Sequence, residues 1–156
     1  MDHPGEIVAR LLYVSRMTTE CTPSELKGIL DISRKNNREM DVTGALCYSA
    51  GGFLQCLEGP ASAVNEIYRR IVRDRRNKQV TLLSYSPIEK RGFEDWTMAF
   101  MRSDDMDHAL LARHGISAPF DPFRVPATQA LELLEDMVRE RTAFLREQAR
   151  RNTDAQ

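Results

Sequence analysis

The chain has 156 residues, of which 42% are hydrophobic and 29% charged, with a net charge of −1. These values are typical of one globular domain with a real core, and the near-neutral charge argues against a dedicated nucleic-acid-binding protein, which would carry a basic excess. The polar opening MDHPGEIVAR is unlike a secretory signal and no apolar run reaches a membrane span, so we expect a cytoplasmic protein without a membrane partner.

The first part of the chain predicts a strand followed by a helix. Residues 7–16, IVARLLYVSR, predict the strand and place Tyr13 on its apolar face. Thr22 is a candidate N-cap and is followed by a proline suited to the first helical position. The apolar stripe of this helix ends in two polar residues, Ser33 and Asn37.

A β-hairpin is predicted next. Segments 42–49 and 53–59 flank a short turn that contains two glycines. On the second strand Gln55 shares a face with Phe53 and Leu57. Leaving a buried amide unpaired costs about 1–3 kcal/mol. Gln55 therefore needs hydrogen-bonding partners at this position.

The order of the predicted elements indicates the fold class. Pro60 begins a second helix, and strands are predicted at about 79–86 and 93–101. The order is then β-α-β-β-α-β-β, which predicts an α+β, ferredoxin-like sheet with two helices on one face and one extra strand.

The character of the sequence changes near residue 103. Residues 103–115 predict a short helix, and a long helix is predicted from Ala127 to about Arg151. The long helix carries an apolar seam over Leu131–Leu145, which must be buried against the sheet or against a second chain, and the sequence leaves both open. We therefore divide the chain into a domain at 1–102 and a helical extension at 103–156.

Three polar residues occupy apolar-face positions and can converge between helix and sheet: Tyr13, Asn37 and Gln55. None is a carboxylate or a histidine, so acid–base or nucleophilic catalysis has no obvious machinery. Amides suit a flat heteroaromatic edge that mixes carbonyls and ring nitrogens, and nearby arginines could bind phosphates. The alternative is that each residue has an ordinary structural role.

The cysteines do not indicate a metal site or a disulfide framework. Cys21, Cys47 and Cys56 are odd in number and lack CxxC spacing. This pattern predicts reduced thiols.

The sequence resembles the BLUF family of flavin-dependent blue-light sensors over about residues 7–101. The resemblance rests on five segments in the family's order: LLYVSR, LKGILDISRKNN, VTGALCYSAGGFLQCLEGP, IYRRIVRDRRN and RGFEDWTMAF. Tyr13, Asn37 and Gln55 stand at matching separations, 24 and then 18 residues apart.

The resemblance implies a bound flavin, usually FAD, with FMN or riboflavin as alternatives. It implies that Tyr13 donates an electron and a proton to the excited flavin, that Gln55 bridges Tyr13 and the flavin N5/O4 edge, and that Asn37 holds the ring at its C4 carbonyl and N3. Further cofactor-binding positions implied by the family are Ser33, Arg70, Asp74 and Arg76. Trp96 and Met98 match positions on the fifth strand that pack near the glutamine and pass the signal on.

The implied function is that of a photoreceptor and not of an enzyme, signalling through the fifth strand and the C-terminal helices to a partner protein in trans. We also expect a homo-oligomer. One departure is Asn77, which stands where the family commonly has histidine, so the resemblance does not carry over the contact that histidine would make. The alternatives are a flavin-dependent oxidoreductase and a ferredoxin-like interaction module without a cofactor.

Overall fold

The structure is a computed structural model that describes residues 5–18, 22–49, 51–102, 108–117 and 120–155. Its strands are β1 (Val8–Met17), β2 (Thr43–Ser49), β3 (Gly52–Pro60), β4 (Asn77–Pro87) and β5 (Ala99–Arg102). Its helices are α1 (Pro23–Glu39), α2 (Ala61–Arg73), α3 (His108–Arg113) and α4 (Ala127–Asp154), with a short 3₁₀ turn at Pro122–Arg124.

The five strands form one sheet in the order β4-β1-β3-β2-β5. Neighbouring strands are antiparallel except β2 and β5, which are parallel. This sheet, with α1 and α2 on one face, confirms the predicted α+β, ferredoxin-like fold.

The start of α1 shows how local sequence sets an element. The Thr22 hydroxyl accepts a hydrogen bond from the Glu25 backbone N–H at 3.1 Å, and a proline fills the first turn. The helix ends before Asp41, whose φ of 58° lies in the left-handed region and turns the chain into β2. This turn brings the polar end of α1 over the sheet.

Each face of the sheet is covered by different helices. Leu26 and Leu30 of α1 and Val64 and Ile67 of α2 pack on one face. The first half of α4 packs on the other face through a row of buried side chains: Ala130, Leu133, Leu134, Met137 and Val138. In this structure α4 therefore caps the sheet, one of the two arrangements that the sequence left open.

The second half of α4 differs from the first. Leu145, at the end of the predicted seam, is 40% exposed. The division of the chain at residue 102 stays a prediction.

The fifth strand is shorter than predicted. The sequence indicated 93–101, whereas β5 is Ala99–Arg102 and the residues before it form turns. The backbone N–H groups of Gly92 and Phe93 donate to the Glu58 carboxylate, at 3.1 and 2.8 Å, and the Trp96 N–H donates to the Phe93 carbonyl at 3.0 Å. These groups are therefore engaged outside a strand ladder.

Some sequence predictions fall on residues that the structure does not describe. These are Cys21, Ala50 in the hairpin turn, and residues 103–107 of the predicted short helix.

Cys47 and Cys56 are buried free thiols, and burial raises the pKa of Cys47 to about 12. Within the described ranges, no helix is both long enough and apolar enough to cross a membrane.

Candidate functional site

A pocket of about 140 Å³ lies between α1, α2 and the face of the sheet that these helices cover. Its walls include every residue that the sequence predicted as cofactor-binding: Tyr13, Ser33, Asn37, Gln55, Arg70, Asp74 and Arg76. Between them are apolar side chains from the helices and the sheet: Ile29, Ile32, Leu46, Phe53, Ile67 and Ile71. The pocket thus has apolar walls with a few polar groups, which is typical of a small-molecule site.

Tyr13 and Gln55 form the floor of the pocket. They are direct cross-strand partners on β1 and β3, so their side chains lie side by side on the same face. The Tyr13 hydroxyl donates a hydrogen bond to Gln55 Oε1. Burial raises the pKa of Tyr13 far above its ordinary value, and the neighbouring Tyr68 raises it further. The Tyr13 hydroxyl therefore keeps its proton at neutral pH.

The amide nitrogen of Gln55 has only a weak partner in the described part of the chain. Gln55 is 5% exposed, and Nε2 donates to the Met98 sulfur at 3.5 Å. A thioether is a weak acceptor, whereas a primary amide carries two good donors. Gln55 thus keeps donor capacity at the pocket, which a ligand with an acceptor atom would satisfy.

Asn37 comes from the last turn of α1 and is 1% exposed. Its Nδ2 donates to the Thr97 carbonyl at 2.7 Å, and its Oδ1 takes no hydrogen bond from the described residues. Asn37 therefore connects α1 to the segment before β5 and still offers an acceptor beside the pocket.

Arg34 is a further residue near the site that was not predicted from the sequence. Its Nε and one terminal nitrogen both donate to the Met98 carbonyl, at 3.1 and 3.0 Å. The available signal was spacing, because Arg34 stands three residues before Asn37 and so shares its helix face.

Charged groups surround the mouth of the pocket. Arg76 pairs with Asp74 at 2.6 Å, and its hydrogen bond holds the pKa of the Asp74 carboxyl below its usual range. Arg70 is largely exposed and lies 3.3 Å from Glu66. Asn77 also lines the pocket, where its Oδ1 accepts from the Ser15 hydroxyl at 3.4 Å.

The structure separates the two residues predicted to pack near Gln55. Met98 contacts the Gln55 amide, but Trp96 packs with the hydrophobic cluster on the other face of the sheet, beside the residues of α4. On a continuous strand, residues two apart would share a face. Because the segment before β5 turns instead, Trp96 and Met98 reach opposite sides, and the prediction that Trp96 lies near Gln55 is wrong for this structure.

Comparisons with known proteins agree on one family. A model of the BLUF family, described as sensors of blue-light using FAD, matches residues 8–99. The photoactivated adenylate cyclase subunit beta of Euglena gracilis is 34% identical over 89 residues, which is 56% of this chain and 10% of that protein. The blue light- and temperature-regulated antirepressor BluF of Escherichia coli K12 is 29% identical over 108 residues, which is 68% of this chain and 27% of that protein.

Solved structures give the same result over most of the chain. The dark-state structure of BlrB, a BLUF protein, has a TM-score of 0.71 and 26% identity, covering 85% of this chain and 96% of that one. The ground state of BlsA has a TM-score of 0.73 and 25% identity, covering 83% and 88%. By contrast, the chain spans only a tenth to about a quarter of the two curated relatives.

Proposed function

The chain belongs to the BLUF family of blue-light sensors that use FAD, and on that premise we propose that its pocket holds FAD and that Tyr13 and Gln55 convert absorbed blue light into a changed hydrogen-bond network. The family is one of flavin-binding sensors, and its domain is not an enzyme. The cyclase activity in the name of the Euglena relative belongs to that whole protein. This chain matches a tenth of it, so we do not propose the activity for this chain.

The donor set of the pocket fits a flavin ring. An isoalloxazine edge alternates carbonyl and ring-nitrogen acceptors with one N–H donor. Gln55 Nε2 offers donors with only a thioether as partner, and Asn37 Oδ1 offers a free acceptor. Apolar side chains such as Ile29 and Ile67 suit the ring faces, and the arginines at the mouth suit phosphates. The proposal rests on the hydrogen-bonded Tyr13–Gln55 pair and on the Gln55 Nε2 donors, which have only the Met98 thioether as a partner.

The proposed light reaction follows from the chemistry of the two side chains. Bound flavin would supply the absorption of blue light and, once excited, an acceptor for an electron. Tyr13 would lose its proton together with the electron, because a charged residue at this buried position is unfavourable. Its hydroxyl already donates to Gln55, which gives the proton a path. Return of the electron and the proton to the Tyr13 radical would restore both groups to their starting oxidation state. The Gln55 amide would be left rotated or tautomerised, presenting the opposite pattern of donor and acceptor to the pocket.

We propose that the change leaves the pocket through the segment before β5. Met98 contacts Gln55 on one side of the sheet and Trp96 contacts the cluster containing α4 on the other, so a movement of this segment reaches both faces. We expect the sensor to act in the cytoplasm on a downstream protein in trans and to associate with its own copies. Phe144 and Leu145, exposed on the second half of α4, support this role.

Flavin binding is tested by denaturing the purified protein and identifying the released chromophore by chromatography. We expect FAD at about one molecule per chain. After the flavin has been stripped, adding FAD at 100 times its Kd should stabilise the protein by about 2.7 kcal/mol, which raises Tm by roughly 5–10 °C.

Two variants make this test specific to the pocket. Asn37→Ala should weaken flavin binding about tenfold, since it removes a buried hydrogen-bonding group worth roughly 1–1.5 kcal/mol. Asn152→Ala, on the exposed end of α4, should bind as the unchanged protein does. A protein that releases no flavin, and whose Tm does not respond to FAD, FMN or riboflavin, would contradict the proposal.

A further inference from the structure

Arg34 directs two donors of its guanidinium to a single backbone acceptor. It is half-buried on α1, and the two hydrogen bonds that it makes within the described ranges both go to the carbonyl of Met98. Among the described residues, no carboxylate pairs with it, although charged groups are plentiful elsewhere on the surface. A guanidinium can place two parallel donors on a carboxylate or a phosphate, although most side-chain hydrogen bonds go to backbone or water. Here both donors fix the position of a single peptide group.

Arg34 and Asn37 together hold two consecutive carbonyls. Arg34 binds that of Met98, and Asn37 Nδ2 binds that of Thr97. In a strand, successive carbonyls point in opposite directions along the sheet. Because both carbonyls here are bound from α1, the chain is held out of strand geometry at this point, and β5 begins only at Ala99.

The peptide that Arg34 fixes belongs to the residue that contacts Gln55. The Met98 side chain is 1% exposed, and its sulfur accepts from Gln55 Nε2 at 3.5 Å. A thioether can accept a hydrogen bond but cannot donate one. An amide that turned its Oε1 toward this sulfur would gain no hydrogen bond there. The position of Met98 therefore favours the Gln55 orientation found in this structure.

We propose that Arg34 is a positioning residue of the light reaction: by fixing the Met98 carbonyl, it holds the thioether against Gln55 and speeds the return of the amide to its dark orientation. This inference rests on the proposed function. It predicts that loosening Met98 prolongs the lit state, because the dark orientation loses its advantage. It also predicts that the effect of Arg34 depends on the sulfur.

The test is the rate at which the flavin absorption of the holoprotein recovers in darkness after a blue flash. Arg34→Met should bind flavin, form the photoproduct and recover about two- to tenfold more slowly, the factor that one hydrogen bond is worth. The recovery rate of Arg34→Lys should lie between those of Arg34→Met and of the protein without substitutions, since an ammonium can still donate to the carbonyl. Arg38→Met, an exposed control on the same helix, should recover at the unchanged rate.

A double-mutant cycle separates positioning from a merely structural role. In a Met98→Leu background, which lacks the sulfur, Arg34→Met should not change the recovery rate further. A lower Tm with unchanged recovery, or equal slowing in both backgrounds, would overturn the proposal. Should Arg34→Met not fold, Arg34→Lys decides in the same two backgrounds. If the protein without any substitution formed no photoproduct, that result would overturn the proposed function, and the role of Arg34 with it.

Discussion

A Gln55→Leu variant is expected to bind flavin but to form no red-shifted photoproduct under blue light. Leucine fills a similar apolar volume, so the pocket keeps its shape. It offers neither the acceptor that the Tyr13 hydroxyl uses nor the donors that face Met98 and the pocket. Without an amide there is no group that can exchange donor for acceptor at the flavin edge. The measurement is the light-minus-dark absorption difference of the flavin bands.

The matched control is Gln129→Leu, which makes the same chemical change at an exposed position of α4. We expect this control to show the full reversible shift. A Gln55→Leu protein with flavin bound and the ordinary red shift would show that the glutamine is not the switch.

The second large effect is expected at Glu58, which lies on β3 and is 0% exposed. Its carboxylate accepts from Arg10 at 2.6 and 2.7 Å and from the backbone N–H groups of Gly92 and Phe93. Glu58→Ala leaves the Arg10 charge and two backbone donors without this partner. Removing one member of a buried ion pair costs about 3–5 kcal/mol, and we expect that loss in the free energy of unfolding measured in urea.

Glu66→Ala is the control for this effect, because Glu66 pairs with Arg69 and Arg70 at the surface of α2. Exposed pairs contribute less than about 1 kcal/mol. If the two alanine variants lost equal stability, the buried carboxylate would not be what anchors the segment before β5.

The sequence could predict the fold because local signals and connection rules agreed. The glycine-containing turn predicted the β2–β3 hairpin, and the Thr22 cap predicted where α1 starts. The length of β5 could not be predicted, since it depends on contacts from distant elements. Glu58 and Arg34 engage the backbone at either end of the segment before β5, and neither contact is visible in local periodicity.

The candidate site, like the fold, could be predicted only in part. Polar residues on apolar faces identified Tyr13, Asn37 and Gln55, and the structure places all three on one pocket. That Tyr13 and Gln55 are direct neighbours depends on the β1–β3 register, which sequence alone does not fix. The burial of Glu58 could not be predicted from the sequence either, because an unpaired glutamate is normally expected at the surface.

The sequence also could not predict what covers the C-terminal helix. The seam on α4 indicated that an apolar face must be covered, but an amphipathic pattern does not say by what. The structure places the first half of that seam on the sheet, beside Trp96 and opposite the pocket. A helix so placed can respond to the segment that Met98 and Trp96 share.

We propose that this pocket binds flavin and switches reversibly in blue light. The most direct measurement is the visible absorption spectrum of the purified protein, in the dark and after brief blue illumination. We predict flavin bands that move slightly to the red and return in darkness. Flavin bands that only bleach and do not recover in anaerobic darkness would contradict the account and favour an oxidoreductase, and a colourless protein that FAD cannot reconstitute would contradict it altogether.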